Sequence, residues 1–241
     1  MARVPKVLAE YAQRRGFAAE VTAVERPSPS LLRIAFHSPS LRSRDVSPCD
    51  VTAFRVGEND FRHYTPESHD PDAGTVTVVV HDHGRTDAPG LSLIESLAPG
   101  SEVVWCGLDS ARGFRWTSPS AALAMGDAST LGLMAALTEQ ANAESTRLLV
   151  AVETEPPDRE YVTGLLPEAV VLPAAEEPGA ALDEWLGEAG ERIRSLAPRV
   201  AYLAGHGGSI QRQRQALRTR HGLDRRAVRT QPYWATGRTG L

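Results

Sequence analysis

The first half of the chain is patterned by short runs in which apolar and polar residues alternate. Alternation with a period of two is typical of strands that bury one face, and clusters of Pro, Gly, Ser and Asp separate the runs as turns do. Strands are predicted at 18–24, 31–37, 51–56, 75–81 and 101–106, with one short helix at 91–97. Short strands at this spacing predict a small antiparallel β-barrel.

After residue 118 the pattern changes to compact apolar runs, each followed by a helical segment. Strands are predicted at 121–125, 147–152, 169–172 and 200–204, and helices at 129–141, 182–196 and 209–220. Strands that alternate with helices predict a parallel, doubly wound sheet, which binds ligands beyond the carboxyl ends of its strands. We therefore expect two domains, a β-barrel over 1–118 and an α/β domain over 119–241.

Composition narrows the class of protein. The 26 basic and 30 acidic residues give a net charge of −4, which argues against nucleic acid or an anionic membrane as a partner. Two cysteines, Cys49 and Cys106, are too few for a disulfide framework or a cysteine-built metal centre, so we expect a reducing compartment. The N-terminal stretch has no long apolar core. These features predict a cytoplasmic protein without a membrane segment.

One segment of the barrel half carries candidate binding residues. Arg62 and Tyr64 are two positions apart on an extended stretch, so their side chains point to one face. A guanidinium group can bind a phosphate, an aromatic ring can stack on a flat cofactor, and the hydroxyl of Thr65 follows. The alternative is an ordinary strand that ends at Pro66, with Tyr64 buried and Arg62 in solvent.

Two strand-to-helix junctions in the second half are candidate phosphate sites. Residues 126–130, Gly-Asp-Ala-Ser-Thr, offer a glycine for a tight turn and hydroxyls that can cap a helix. The segment 204–209, Ala-Gly-His-Gly-Gly-Ser, repeats the arrangement. Backbone N–H groups and the helix dipole at such turns can hold a phosphate. Neither segment is a complete nucleotide-binding motif, and an ordinary βα turn has the same composition.

Histidines and arginines offer two weaker possibilities. His81 and His83 lie on one strand face and resemble half of a zinc site, which His69 and Asp87 would have to complete; we do not expect a metal. His206 is either a proton donor or a residue that starts a helix. Seven arginines near the C-terminus can attract an anion, but we expect them to form a solvated face. They are Arg212, Arg214, Arg218, Arg220, Arg225, Arg226 and Arg229.

The order of these features resembles the siderophore-interacting proteins, flavin-dependent ferric-siderophore reductases related to ferredoxin–NADP reductases. The matching motifs are Arg-x-Tyr-Thr at 62–65, Gly-Asp-x-Ser/Thr-x-Leu at 126–131, Ala-Gly at 204–205 and Tyr-Trp-x-x-Gly at 233–237. The similarity extends over about 17–240. It implies a flavin-binding split barrel followed by a nicotinamide-binding α/β domain.

The resemblance also implies roles for particular residues. Arg62 would contact the phosphate of FAD, Tyr64 would stack on the isoalloxazine, and Thr65 would hydrogen-bond it. His81 would lie by the adenine-dinucleotide part of the cofactor. The nicotinamide side would be lined by Gly126, Asp127, Ser129, Thr130 and Gly205, and the far side of the cleft would be closed by Tyr233 and Trp234.

The implied reaction is hydride transfer to flavin and then one-electron reduction of iron in a ferric siderophore, with NAD(P)H or reduced ferredoxin as the electron donor. The chain departs from the family pattern at five places, two of which are Leu93 in place of a tryptophan and Gly107-Leu108 in place of Gly-Pro. A second arginine is replaced by Glu67, a Gly-Pro-Ala-Ser segment by 88–91 (Ala-Pro-Gly-Leu), and an acidic residue by His206. An alternative is therefore a relative that binds FAD weakly or not at all and serves as a binding or accessory protein for an iron chelate.

Overall fold

The computed structural model describes residues 5–56, 58, 60–82, 89–109 and 113–237. They form an antiparallel sheet of seven strands followed by a parallel sheet of five strands with helices on both faces. Within this part of the chain, no helix has the length and apolar character needed to cross a membrane.

The antiparallel sheet curls into a half-barrel because its two edge strands follow one another in the chain. Its strands are β1 (Phe17–Ser28), β2 (Leu31–His37), β3 (Val51–Arg55), β4 (Phe61–Tyr64), β5 (Pro66–Asp70), β6 (Thr75–His81) and β7 (Glu102–Asp109). The order across the sheet is β4-β3-β7-β1-β2-β6-β5. Only Thr65 separates the edge strands β4 and β5, so it lies at the seam of the half-barrel. Helix α1 (Lys6–Arg15) precedes the sheet, and α2 (Pro89–Glu95) lies between β6 and β7.

Aromatic side chains fill the interior of the half-barrel. Trp105 is fully buried and makes edge contacts with Phe36 and Phe54, each with 5.5 Å between ring centroids. Such edge-to-face pairs add stability beyond the burial of apolar area. Alternate residues of β6 join this cluster, which confirms that a period of two places one face of each strand in the core.

The parallel sheet has strand order β10-β9-β8-β11-β12. Its strands are β8 (Ala121–Asp127), β9 (Arg147–Thr154), β10 (Val170–Pro173), β11 (Val200–His206) and β12 (Val228–Trp234). Its helices are α3 (Leu131–Ala143), α4 (Arg159–Leu165), α5 (Ala180–Glu188), α6 (Gly190–Leu196) and α7 (Gly207–Thr219). From β8 the chain adds β9 and β10 toward one edge of the sheet, and then adds β11 and β12 on the other side of β8. This change in strand order between β8 and β11 is the switch point where ligands bind in such folds.

Successive residues of β8 enter different cores. Ala122 and Ala124 face the side covered by α3 and α4, whereas Leu123 and Met125 face the side covered by α5, α6 and α7. Both faces are covered, which explains why this strand is apolar throughout instead of alternating.

Helix α3 lies between the parallel sheet and the half-barrel. The core on its side of the sheet includes Leu31 and Val79 from the barrel strands. A Cβ atom at Gly132 would overlap the carbonyl oxygen of Thr65, so the first turn of α3 rests directly on the barrel seam. A second link is made by the hydroxyl of Ser30, which donates to the carboxylate of Asp158. The two sheets therefore share one packed interface.

The predicted fold class is confirmed: an antiparallel split barrel is followed by a doubly wound parallel sheet. Several details were wrong, and strand β5 and helices α1 and α4 were not predicted. The strand at 200–204 is not the last, because β12 adds an edge strand after it, and the helix expected at 182–196 is two helices that meet at Ala189. Isolated polar residues obscure the pattern of β12, and Gly190 begins the second helix. The domain division at 118/119 stays a prediction.

We expect Gly132→Ala to lower the free energy of unfolding by about 1–3 kcal/mol, because the added methyl group must push α3 away from the seam. Gly187→Ala is the matched control, since a Cβ atom there meets nothing within 4 Å and the alanine should stabilise α5 by up to about 1 kcal/mol. Urea unfolding of both variants gives the comparison. A stabilised Gly132→Ala protein would contradict the proposed contact.

Candidate functional site

The barrel seam is joined to the last strand of the parallel sheet by one hydrogen bond. The side-chain oxygen atoms of Thr65 and Tyr233 are 2.5 Å apart. Thr65 is buried, with only 5% of its surface exposed. Burial raises the pKa of Tyr233 far above its usual range, and the hydrogen bond to Thr65 opposes this only in part. The two residues therefore form a neutral polar contact between the sheets.

Arg62 and Tyr64 lie on the same side of β4 and meet the start of α2. A Cβ atom on Gly90 would fall 2.8 Å from both the Cγ atom of Arg62 and the hydroxyl of Tyr64. Only a residue without a side chain allows this approach. The Tyr64 ring packs 5.9 Å from that of Phe54. Burial raises the pKa of Tyr64 to about 12, although the charge of Arg62 acts in the opposite direction.

A partly buried ion pair lies beside the seam. The carboxylate of Glu67 is almost fully buried and accepts two hydrogen bonds from Arg33, from Nε at 2.9 Å and from Nη2 at 3.3 Å. Glu25 adds a longer, exposed contact of 3.4 Å to the same guanidinium group. Glu67 therefore has a charge partner of its own, supplied by β2.

At the switch point, the carboxylate of Asp127 is a centre of hydrogen bonds. It accepts from the backbone N–H groups of Ser129 at 3.0 Å and His206 at 2.8 Å, and from Nε1 of Trp234 at 2.9 Å. Gly205 has a φ of +105°, and a Cβ atom on it would overlap the Asp127 carboxylate. Glycine is required here for both its conformation and its lack of a side chain.

The turn after Asp127 is closed by its own hydroxyl groups. Thr130 donates its hydroxyl to the backbone carbonyl of Asp127 at 2.7 Å. Gly126 packs on Thr130 so closely that a Cβ atom would overlap it. Ser129 also donates its hydroxyl to the Asp127 carboxylate. The hydroxyls in this turn are thus already engaged within the protein.

His206 caps the start of α7. Its Nδ1 atom accepts from the backbone N–H of Ser209 at 3.3 Å. Its Nε2 atom accepts from the backbone N–H of Thr236 at 3.3 Å and lies 3.2 Å from the hydroxyl of the same residue. Burial lowers the pKa of His206, and the charge of Asp127 opposes this shift. Its ring is 4.6 Å from that of Trp234. Sequence analysis left His206 as either a proton donor or a residue that starts a helix. The structure matches the second hypothesis.

Glu153 is a buried acid that sequence analysis missed. It is the penultimate residue of β9, with 4% of its surface exposed. Its carboxylate accepts from the backbone N–H groups of Gly179 at 3.0 Å and Leu182 at 3.3 Å. The carboxylate therefore occupies the N-terminus of α5, where a ligand phosphate would otherwise find donors. A glutamate at the end of an apolar strand is the only signal of this role in the sequence.

Other candidates fall outside this group. His81 ends β6, opposite Leu31 in the sheet register, and β6 itself passes the turn Ala128–Thr130. The Nε2 atom of His69 donates to the Leu41 carbonyl at 3.0 Å. His83, Asp87 and Ala88 lie outside the described residues. Among those described, no group of three His, Cys, Asp or Glu side chains is arranged to hold a metal ion.

The predicted site residues thus form three groups along one interface. Arg62 and Tyr64 meet under α2, Thr65 bonds to Tyr233 at the seam, and the switch-point residues surround Asp127. The switch-point group is Gly126, Asp127, Ser129, Thr130, Gly205 and Trp234. Sequence analysis missed Arg33 because its partner Glu67 lies 34 residues away.

Comparison with known proteins shows which family the chain resembles in sequence and in fold. The family model described as "Siderophore-interacting protein" matches residues 119–237. The structure of a siderophore-interacting protein from Acinetobacter baumannii aligns with a TM-score of 0.73 over 92% of each chain at 16% identity. That of SipS, a siderophore-interacting protein from Aeromonas hydrophila, aligns with a TM-score of 0.71 over 93% of each chain at 18% identity.

The chain belongs to the siderophore-interacting protein family. Its fold is also similar to ferredoxin–NADP⁺ reductase from Plasmodium falciparum, with a TM-score of 0.71 over 91% of this chain and 97% of that one at 9% identity. No curated protein matches the chain in sequence.

The residues of this family member fit an FAD molecule in part. Arg62 and Tyr64 offer a guanidinium group and an aromatic ring on one face, and Gly90 at the start of α2 packs directly against both side chains. The Thr65 hydroxyl already bonds to Tyr233. At position 67 the family pattern has a second arginine, whereas this chain has a carboxylate paired with Arg33. A cofactor phosphate would therefore depend chiefly on Arg62.

We expect Glu67→Arg to lower the free energy of unfolding by about 2–4 kcal/mol, because it places a second guanidinium group against Arg33 in a buried position. Adding Arg33→Glu restores an ion pair of reversed polarity and should recover at least half of the loss. Glu25→Arg is the control and should cost less than about 1 kcal/mol, since that contact is exposed. Equal losses for Glu67→Arg and Glu25→Arg in urea unfolding would refute the buried pair.

Stability should depend on pH through Glu153, whose carboxyl pKa is raised by burial and by the nearby Asp127 charge against the effect of the backbone donors. A carboxyl with a raised folded pKa stabilises the protein most below its unfolded pKa of about 4.3, and this contribution is lost as pH rises through the raised value. The Glu153→Gln variant should therefore become more stable relative to the parent protein as pH rises from about 4.3.

The measurement is urea unfolding of parent and Glu153→Gln proteins at a series of pH values, with Glu188→Gln, at an exposed position on α5, as the control. A difference between parent and Glu153→Gln that is constant across this range would show that the carboxyl has the same pKa in the folded and unfolded states.

Proposed function

We propose that this protein is an oxidoreductase that holds FAD between the half-barrel and the parallel sheet and reduces the iron of a ferric siderophore. The observation that carries the proposal is the placement of Arg62 and Tyr64 beside a seam that is tied, through Thr65 and Tyr233, to the switch-point sheet. Membership of the siderophore-interacting family supports the substrate class.

In this proposal Arg62 holds the cofactor phosphate and Tyr64 provides a neutral ring beside the flavin. Bound FAD would supply the chemistry that protein side chains lack, since a flavin accepts a hydride and passes electrons on one at a time. The high pKa of Tyr64 keeps its hydroxyl protonated, so the ring adds no negative charge next to the cofactor phosphate.

The nicotinamide side of the site is proposed at the switch point. Gly126, Gly205 and the turn after Asp127 would line it, and Trp234 would cover it. Trp234 is 37% exposed and held to Asp127 by one hydrogen bond, so it can move without unfolding β12. The electron donor is NAD(P)H or a reduced ferredoxin; similarity to ferredoxin–NADP⁺ reductase supports either.

The proposed substrate is a ferric siderophore or another ferric chelate. Siderophores hold Fe³⁺ through hard oxygen donors, which bind Fe²⁺ less tightly, so one-electron reduction releases the iron. As part of the same proposal, the chain divides at 118/119 into a flavin half and a nicotinamide half. Both cysteines are free thiols, which supports a reducing, cytoplasmic location.

A second function is favoured by a separate observation. Glu67 and the Thr65 hydroxyl, which lie where the family pattern expects groups that bind FAD, are satisfied within the protein. A family member that retains the fold but binds FAD weakly would act as a binding or accessory protein for an iron chelate.

Titration with FAD separates these functions. We expect saturable binding with a shifted flavin absorption band, and a loss of about 1.5–3 kcal/mol of binding free energy in Arg62→Ala, the range for a charge-assisted hydrogen bond. Arg192→Ala, an exposed arginine on α6, is the control and should bind as the parent does. If the folded parent protein binds no FAD, the reductase is rejected in favour of the accessory function.

Where FAD binds, anaerobic reduction of a ferric siderophore by NAD(P)H or reduced ferredoxin tests the reaction. Flavin reduction without loss of ferric chelate would retain the cofactor assignment and reject the siderophore as substrate.

A further inference from the structure

Positive charge is concentrated in one short segment of the chain. Residues 207–229 contain seven arginines and one acidic residue, Asp224, whereas the whole chain has a net charge of −4. The sequence suggested that these arginines spread around a helix in solvent. The structure instead sorts them by their partners.

Two of the seven are used within the fold. Arg212 pairs with Asp183 and with Glu177, the latter at 3.0 Å, and Arg229 donates to the backbone carbonyl of Arg115. Three others, Arg214, Arg218 and Arg225, line a single depression of about 250 Å³. In the part of the chain that the structure describes, no carboxylate pairs with any of these three.

The depression is built from one helical face and the loop that follows it. Gln211, Arg214, Gln215 and Arg218 are spaced by three or four residues and so lie along one side of α7, and Arg225 comes from the loop before β12. The opposite side of α7 is buried against the sheet. The sequence analysis treated the seven arginines as one group. Their spacing along a helix would have identified this face.

One atom in the depression lacks a partner despite being buried. The Nε atom of Arg214 is shielded from solvent and has no hydrogen-bond acceptor. A buried donor without a partner is costly unless a ligand supplies the acceptor. The Arg214 guanidinium group is thus held in place by packing while its donors have no acceptor in the described protein.

We propose that this depression binds a small, hydrophilic polyanion with several oxyanion groups. Guanidinium groups offer paired donors that match phosphate and carboxylate oxygens, and the two glutamine amides add neutral donors between them. The lining contains no apolar side chain, so the ligand makes no hydrophobic contact there. Arg218 lies about 16 Å along α7 from its first residue, which separates this site from the switch point.

Calorimetric titration at low salt with pyrophosphate and with citrate tests the proposal and distinguishes a phosphate from a carboxylate ligand. We expect one-to-one binding of at least one probe, weakened at least about tenfold by Arg214→Gln with Arg218→Gln because two charge-assisted contacts are lost. Arg220→Gln with Arg226→Gln removes the same charge from the same segment outside the depression and should change the affinity less than about threefold.

The two double variants separate a built site from diffuse attraction. Equal weakening by both, or no binding of either probe to the parent protein, overturns the proposal, as does binding of a heparin oligosaccharide alone. Arg225→Gln, in the exposed loop, replaces the helix variant if the latter does not fold and should also weaken binding. FAD titration of the same variants should be unchanged, so that failure of this site and failure of the reductase remain distinct.

Discussion

The contact between Gly132 and Thr65 is the constraint on which the arrangement of the two sheets depends. It places the first turn of α3 directly on the carbonyl group of Thr65, the residue between β4 and β5. The same threonine directs its hydroxyl to Tyr233, so helix, seam and last strand meet at one residue. Because α3 also starts at the switch point, this contact sets the position of the Asp127 turn relative to Arg62 and Tyr64.

The carboxyl edge of the parallel sheet is unusual in how far its polar groups are satisfied within the chain. Asp127 uses donors from three segments, and Glu153 occupies the start of α5. Negative charge thus lies where related folds commonly receive phosphate groups. Among the described residues, three guanidinium groups without a carboxylate partner lie away from this edge, at the depression on the outer face of α7. This family member therefore has two regions of opposite charge. The acidic groups at the switch point are paired within the protein, and the arginine cluster on α7 is open to solvent.

Local pattern was sufficient to predict most of the fold, since alternation revealed the barrel strands and apolar runs revealed β8, β9 and β11. Local pattern failed where the deciding partner is distant. The sequence identified Glu67 only as the replacement of a family arginine, because its partner Arg33 lies on another strand. β12 was missed because an edge strand needs fewer apolar residues. The family motifs identified residues that the structure groups along one interface. They did not predict the hydrogen bonds within each group, because those bonds depend on tertiary contacts.

The Thr65–Tyr233 hydrogen bond has a consequence for how the chain folds during synthesis. Its two residues are 168 positions apart, so the half-barrel leaves the ribosome long before β12 exists. Until then the Thr65 hydroxyl is exposed to water and the core shared with α3 is incomplete. Contacts of such long range slow folding and leave partly formed surfaces open to aggregation. The half-barrel without its partner sheet is therefore the stage of synthesis at which its apolar surface is most exposed.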